Sequence, residues 1–231
     1  MLTRRQEEIL KRIVKDYIEL AEPISSEFLD KKHKLDISPA TIRIEFQKLT
    51  KKGYLYQPHT SAGRVPTDKA YRFFVDDLFV EEFKEFDIEG WIGKEIEDSV
   101  KFLQSLTKNL AGISDSLVFS YLKDEDIFWK EGWEEVLKEP EFFEKEHILN
   151  FVEFLESFEK NIDELKINSN IKVYIGRENP FPKGKDFSTI ISTCYLPKGK
   201  ETILSILGPK RMDYNRNIGL MNSLKNCLEN L

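Results

Sequence analysis

The run Ser38-Pro39-Ala40-Thr41-Ile42-Arg43-Ile44-Glu45-Phe46-Gln47-Lys48-Leu49-Thr50-Lys51-Lys52-Gly53 decides how the front of the chain is read. Ser38 offers a hydroxyl to an orphan helix N–H, and Pro39 takes the first helical position, where its missing N–H costs nothing. Ile42, Phe46 and Leu49 recur at helical spacing and turn one face inward. Gly53 is the C-terminal stop. The opposite face offers Thr41, Arg43, Gln47 and Lys48, with Lys51 and Lys52 at the helix end. Arg and Gln can each make paired hydrogen bonds to base edges, whereas Lys more often meets phosphate. The helix N-terminus at Ser38 can also hold a phosphate on its free N–H groups.

The flanking sequence completes a known order of elements. Thr3 and Gln6 form a capping box for a helix with Ile9, Leu10, Ile13, Val14, Tyr17 and Ile18 along one stripe. Glu22-Pro23 breaks it, and Ser25 or Ser26 caps a short second helix that ends near His33. After Gly53 the period changes: 54–57 reads as a strand, 64–66 as its return, and Pro58 to Gly63 as the turn between them. Thr67 then caps a helix carrying Tyr71, Phe74, Val75 and Leu78. Three short helices followed by a hairpin is the order of a winged helix-turn-helix, whose third helix enters the major groove. His59, Thr60 and Ser61 form the tip, and Arg64 sits where a wing would touch phosphate or the minor groove. The candidate DNA-binding residues are therefore Ser38, Thr41, Arg43, Gln47, Lys48, His59, Thr60, Ser61 and Arg64. Taken singly, each keeps a plainer reading: a Ser/Gly turn is also just a turn, and paired lysines also just a solvated helix end.

Charge supports that division of labour. The 231 residues carry a formal net charge of −6, but residues 1–72 hold 15 Lys/Arg against 10 Asp/Glu while residues 73–231 hold 20 against 31. A basic front on an acidic rear suits a nucleic-acid-binding module joined to a second domain. Hydrophobic residues at 40%, with 17 Phe among them, supply a real core and exclude wholesale disorder. No apolar run approaches the ~18 residues of a membrane span, and the charged N-terminus has no signal-peptide core. Two cysteines (Cys194, Cys227) and three scattered histidines (His33, His59, His147) form no disulfide framework or metal cluster. The expectation is a soluble cytoplasmic protein with no cofactor, no metal and no membrane partner.

Two domains are expected, 1–80 and 81–231. In the second, Ile92, Ile96, Val100, Leu103 and Leu110 mark one helix and 148–165 another. Strands are read at 115–122, 171–175, 188–195 and 202–207, before a final helix that starts near Asp213 and reaches Leu231. This is an α+β domain whose sheet carries helices. Lys210, Arg211 and Arg216 could mark a ligand site, but a strand-to-helix corner turned by Gly208-Pro209 and capped by Asp213 is the preferred reading. Trp129 and Trp133 read as packing. No nucleophile–base pair or convergent carboxylate set is found, so the chain is read as no enzyme.

Several runs resemble one family. Ser38-Pro-Ala-Thr-Ile-Arg43, Gly53-Tyr-Leu55, Pro58-His-Thr-Ser-Ala-Gly-Arg64, Pro66-Thr-Asp68 and Tyr71-Arg72 closely resemble the heat-inducible transcription repressor family (HrcA), as do Leu2 to Gln6, Asp16 to Ile18 and Glu22-Pro23-Ile24. Val173 to Pro180 and Gly208 to Tyr214 resemble its C-terminal signatures. The resemblance implies a repressor of heat-shock and chaperone genes that binds an inverted-repeat operator as a homodimer and depends on a chaperonin. It also implies a winged-helix domain, a GAF-like α+β domain and a dimerising domain inserted in the latter. This chain departs from the pattern: family members are about a hundred residues longer, the size of a small domain, and the shortfall lies between the matched ends. The inserted dimeriser is thus read as largely deleted. Ile44 stands where Asn is common, a change that could alter base or phosphate contacts, and Ala70 where Gly is, which should only stiffen a helix start. The alternative is a winged-helix regulator switched by a small ligand on the GAF-like domain.

Overall fold

A computed structural model of the chain describes residues 1–80, 85–91, 98–165 and 170–230. It divides into two compact units, Met1–Glu81 and Glu82–Leu231. In the first, helices α1 (Arg4–Leu20), α2 (Ser26–His33) and α3 (Pro39–Lys51) precede a hairpin of β1 (Leu55–Tyr56) and β2 (Val65–Pro66), then α4 (Asp68–Leu78). Local chemistry sets the helix starts. Thr3 and Gln6 make the reciprocal capping box, Ser25 accepts from the Phe28 N–H, and Ser38 accepts from the Thr41 N–H ahead of Pro39. Thr67 flanks α4 without a side-chain cap; its hydroxyl donates instead to the carbonyls of Gly53 (2.7 Å) and Tyr54 (3.1 Å), pinning the hairpin base. Ile9, Leu10, Ile13 and Val14 of α1 are buried, as are Ile42, Phe46 and Leu49 of α3 and Phe74, Val75 and Leu78 of α4. Burying each such side chain contributes roughly 1.5–3 kcal/mol.

The second unit is built on a five-stranded antiparallel sheet, order β4-β3-β7-β6-β5. Its strands are β3 (Leu117–Leu122), β4 (Ile127–Glu131), β5 (Lys172–Ile175), β6 (Phe187–Leu196) and β7 (Lys200–Pro209). The helices are α5 (Ser99–Ser114), a single turn α6 (Trp133–Val136), α7 (Lys145–Asn161) and α8 (Tyr214–Glu229). Side chains alternate across a strand, and both faces are covered. Leu117, Phe119 and Tyr121 of β3 join Ile191, Ile203 and Leu207 in one core with Phe151, Phe154 and Phe158 of α7. Phe119 meets Phe158 edge-on at 5.2 Å and Phe187 stacks with Phe154 at 5.5 Å, geometries that favour ring pairs beyond their area. Elsewhere α5 packs on β3 and α8 on β6.

The expected strands and helices appear with small shifts, and the exceptions are instructive. Asp115 is the left-handed C-cap of α5 rather than strand. The edge strand β4 has no counterpart in the sequence reading; Phe119↔Lys130 and Tyr121↔Phe128 pair it to β3. Trp129 therefore lies on a strand and Trp133 on α6, where its ring meets Phe151 at 6.1 Å. Ile92, Ile96 and Leu231, read as helix-face residues, lie outside the described residues. Arg211 forms ion pairs with Glu139 and Glu141 (2.7 Å to Glu141 Oε1), and Asp213 caps α8, so the 208–214 run is a structural corner.

Asn179 holds the loops between β5 and β6 together. Its two amide hydrogens serve the carbonyls of Gly184 (2.9 Å) and Phe187 (2.8 Å), with the Gly176 carbonyl (3.2 Å) sharing one of them, and its oxygen accepts from the Thr189 hydroxyl (2.9 Å). Asn179→Ala leaves these partners unmatched and is expected to lower the unfolding free energy by about 2–4 kcal/mol. Urea denaturation of the full chain checks this; an unshifted midpoint would show the loops need no such tie.

Candidate nucleic-acid interface

Three polar ties set the helices of the first unit. The Asp16 carboxylate of α1, only 2% exposed, accepts from Lys32 (2.9 Å) and His33 (2.8 Å) of α2. Gln6 of α1 donates to the buried Glu45 of α3 (2.8 Å) and accepts from Lys52 (2.7 Å), whose ammonium also reaches the Met1 carbonyl (2.9 Å). Lys48 completes that network with a 2.8 Å bond to Glu45 and holds its carboxyl below the usual glutamate range. Between α2 and α3, Arg43 donates to the Ser26 hydroxyl (3.2 Å) and pairs with Glu27. A buried carboxylate is tolerable only when partnered; the ties therefore specify where α3 lies.

With that placement the outward residues of α3 are Ala40, Arg43, Ile44, Gln47, Lys48 and Lys51. They fall at i, i+3, i+4, i+7, i+8 and i+11, one unbroken helical stripe. The sequence-derived set is brought together here in part. Gln47 is exposed and bonds no other described side chain, and Lys48 and Arg43 are exposed but tied to Glu45 and Glu27. Ser38 and Thr41 share a 3.0 Å hydroxyl contact, and Thr41 sits at the margin of the stripe. Of the two apolar outward residues, Ile44 stood out in the sequence as a departure from the family's Asn, whereas Ala40 was missed; its spacing from Gln47 and Lys51 is the signal that would have found it. Glu45 was missed on the inner face, although it stands four residues before Leu49.

The hairpin tip is a closed turn. The Gln57 amide donates to the carbonyls of Thr60 and Ala62, both at 2.9 Å, and the His59 ring bonds the Ser61 hydroxyl at 3.1 Å. His59, Thr60 and Ser61 are exposed. Arg64 lies on the turn side of the β1–β2 ladder, next to Val65, where it is half-buried and its backbone exchanges hydrogen bonds with Ile24 (2.8 and 2.9 Å). Gly63 makes that approach possible, since a Cβ there would lie 2.4 Å from the Ile24 carbonyl carbon and oxygen. Chemically, the unit offers a polar and cationic helix face and a small polar turn on a net-basic body, a combination matched to a polyanion. In the second unit, burial pushes the Cys194 thiol up to about 12, which keeps it from acting as a thiolate nucleophile. Among the described residues no group of three His, Cys, Asp or Glu side chains could hold a metal ion, and no helix is long and apolar enough to cross a membrane.

Comparison with known proteins agrees across the chain. Residues 75–218 match the family described as "HrcA protein C terminal domain". The "Heat-inducible transcription repressor HrcA" of Natranaerobius thermophilus is 27% identical over an alignment of 331 positions, covering 98% of this chain and 96% of that protein. The protein of the same name from Acetivibrio thermocellus is 54% identical over 77 residues, 33% of this chain and 22% of the relative. The 331-position alignment against a chain of 231 residues leaves a long stretch of the first relative without a counterpart here. A solved crystal structure of a hypothetical protein shares the fold, with TM-score 0.84 and 22% identity over 100% of this chain and 98% of that one.

Two measurements test the frame of the interface. Gly63→Ala forces the hairpin away from Ile24 and is expected to cost about 1–3 kcal/mol of stability, read as a lowered urea midpoint; a midpoint at the wild-type value would show that the close approach is unnecessary. Because the Glu45 carboxyl is held low in the folded chain, its bonds stabilise above the unfolded glutamate range, and that stability is lost as pH falls through the folded value. Glu45→Gln is expected to flatten the acid side of the stability–pH curve, and an unchanged slope would remove Glu45 from it.

Proposed function

This chain belongs to the HrcA family of heat-inducible transcription repressors, and on that premise we propose that it represses heat-shock and chaperone genes by binding an inverted-repeat operator as a homodimer. It is a repressor and no enzyme. In this reading residues 1–80 are a winged-helix domain in which α2 and α3 form the helix-turn-helix, and residues 81–231 are a GAF-like domain with its insertion reduced. The observation that carries the reading is the stripe of α3, which aligns Arg43, Gln47, Lys48 and Lys51 on the outward side of a unit with net charge +5 over residues 1–72. Gln47 is free to pair with a base edge, while Lys48, Lys51, the cap at Ser38 and Thr41 and the wing at His59, Thr60, Ser61 and Arg64 meet the backbone. For Arg43 to read a base it must exchange Glu27 for that base. Dependence on a chaperonin rests on the resemblance alone.

The ligand-switched alternative has less behind it. The sheet face beneath α7 is filled by the rings of Phe119, Phe151, Phe154, Phe158 and Phe187, which occupy the space a small molecule would take on that side.

Selection of duplexes from a random-sequence pool, followed by gel shifts with the full chain, tests the reading. The expected outcome is an inverted repeat bound by two chains, with affinity falling steeply as salt rises. Arg43→Ala should relax preference at one base pair per half-site, by about 1–3 kcal/mol; unchanged preference would assign Arg43 to bracing α2. Sedimentation showing one chain on the repeat would contradict the dimer.

A further inference from the structure

The outward stripe of α3 is polar at every position but two. Ala40 and Ile44 stand one turn apart, and Ile44 is 52% exposed with Arg43, Gln47 and Lys48 around it. A lone exposed apolar residue is ordinary on a protein surface. This one is set apart by position: it lies in the middle of the face proposed to enter the groove, and its neighbour Arg43 is drawn toward Ser26 and Glu27 of α2. Local folding gives no reason for it either, since a β-branched residue at a solvent-facing helix position is a weaker helix former than Lys or Gln.

We infer that Ile44, backed by Ala40, reads the C5-methyl of a thymine in the major groove and so helps determine which operator is bound. The inference rests on the DNA-binding reading above. The major-groove edge of a T·A pair presents an acceptor and a methyl, and the methyl is a mark that no hydrogen bond can detect. An apolar side chain ringed by cations and an amide fits it: Lys48 and Lys51 hold the helix to the phosphates, Gln47 is placed for an adjacent adenine, and the methyl fills the apolar gap. A protein partner would need a wider apolar surface than two residues.

Replacing thymine by deoxyuridine deletes only that methyl, so wild-type chain is the first probe and needs no folding control. On the duplex selected from the random pool, each thymine is changed in turn. One thymine per half-site is expected to weaken binding about fourfold, and changing both about fifteenfold. Ile44→Ala should lose affinity for the thymine duplex and bring thymine and uracil within about twofold at that position. Lys51→Ala should weaken both duplexes equally and keep the difference between them. Insensitivity to every uracil, or a thymine preference that survives Ile44→Ala undiminished, overturns the inference while leaving sequence-specific binding intact. A chain that selects no duplex overturns the DNA reading and this inference together.

Discussion

Two backbone hydrogen bonds between Ile24 and Arg64 tie the hairpin to the connection between α1 and α2, and the geometry of the first unit follows from them. The bonds form only because residue 63 has no side chain, the Ile24 carbonyl lying where a Cβ would stand. Pro23 keeps the residue before it out of helix, Ile24 runs antiparallel to Arg64, and Ser25 then starts α2. One short segment thus serves as hairpin partner and helix entry together. The turn of 57–62 and the α2–α3 pair consequently share a rigid frame.

Apolar burial holds this unit together but does not orient it. Ile42, Phe46 and Leu49 would pack against α1 over a range of crossing angles, because the hydrophobic effect is non-directional. The directional terms are the Asp16, Gln6–Glu45 and Arg43 ties, made between residues 16 to 46 positions apart. Lys48 and Lys52 illustrate a division that composition hides: both are cations at the end of α3, yet Lys52 is spent on the N-terminal backbone and Gln6, while Lys48 remains half exposed beside its partner.

The second unit uses aromatic volume where the first uses polar ties. A central hairpin of β6 and β7, each ten residues, is flanked by shorter strands and sealed by α7 through its phenylalanines. The runs through which this region resembles its family serve that architecture: Asn179 satisfies four loop groups, Arg211 anchors 139–141, and Asp213 caps α8. Lys210, Arg211 and Arg216 left a ligand site open beside the preferred corner, and Arg211 is buried against Glu139 and Glu141. A basic residue near a helix start is the same string of letters in either role; only its neighbours decide.

What the sequence by itself determined is whatever depends on near neighbours. Caps at Thr3 and Ser38, a cap at Ser25 or Ser26, the Gly53 stop and the inward faces of α1 and α3 were legible, because hydroxyl–amide bonds and helical period act within a few residues; the α7 stripe was legible in part, Val152 being exposed while Phe151 and Phe154 are buried. The family was legible from the 58–64 run as a matched motif. The tertiary structure alone decided the rest. It buried Glu45, paired Arg43 with Glu27, bound the Arg64 backbone to Ile24 and recruited 127–131 as an edge strand, since each depends on an angle or register between segments distant in the chain. It also fixed how far Ile44 stands out of the core, at 52% exposed: an inward face is defined by what packs on it, and packing is a property of the whole unit.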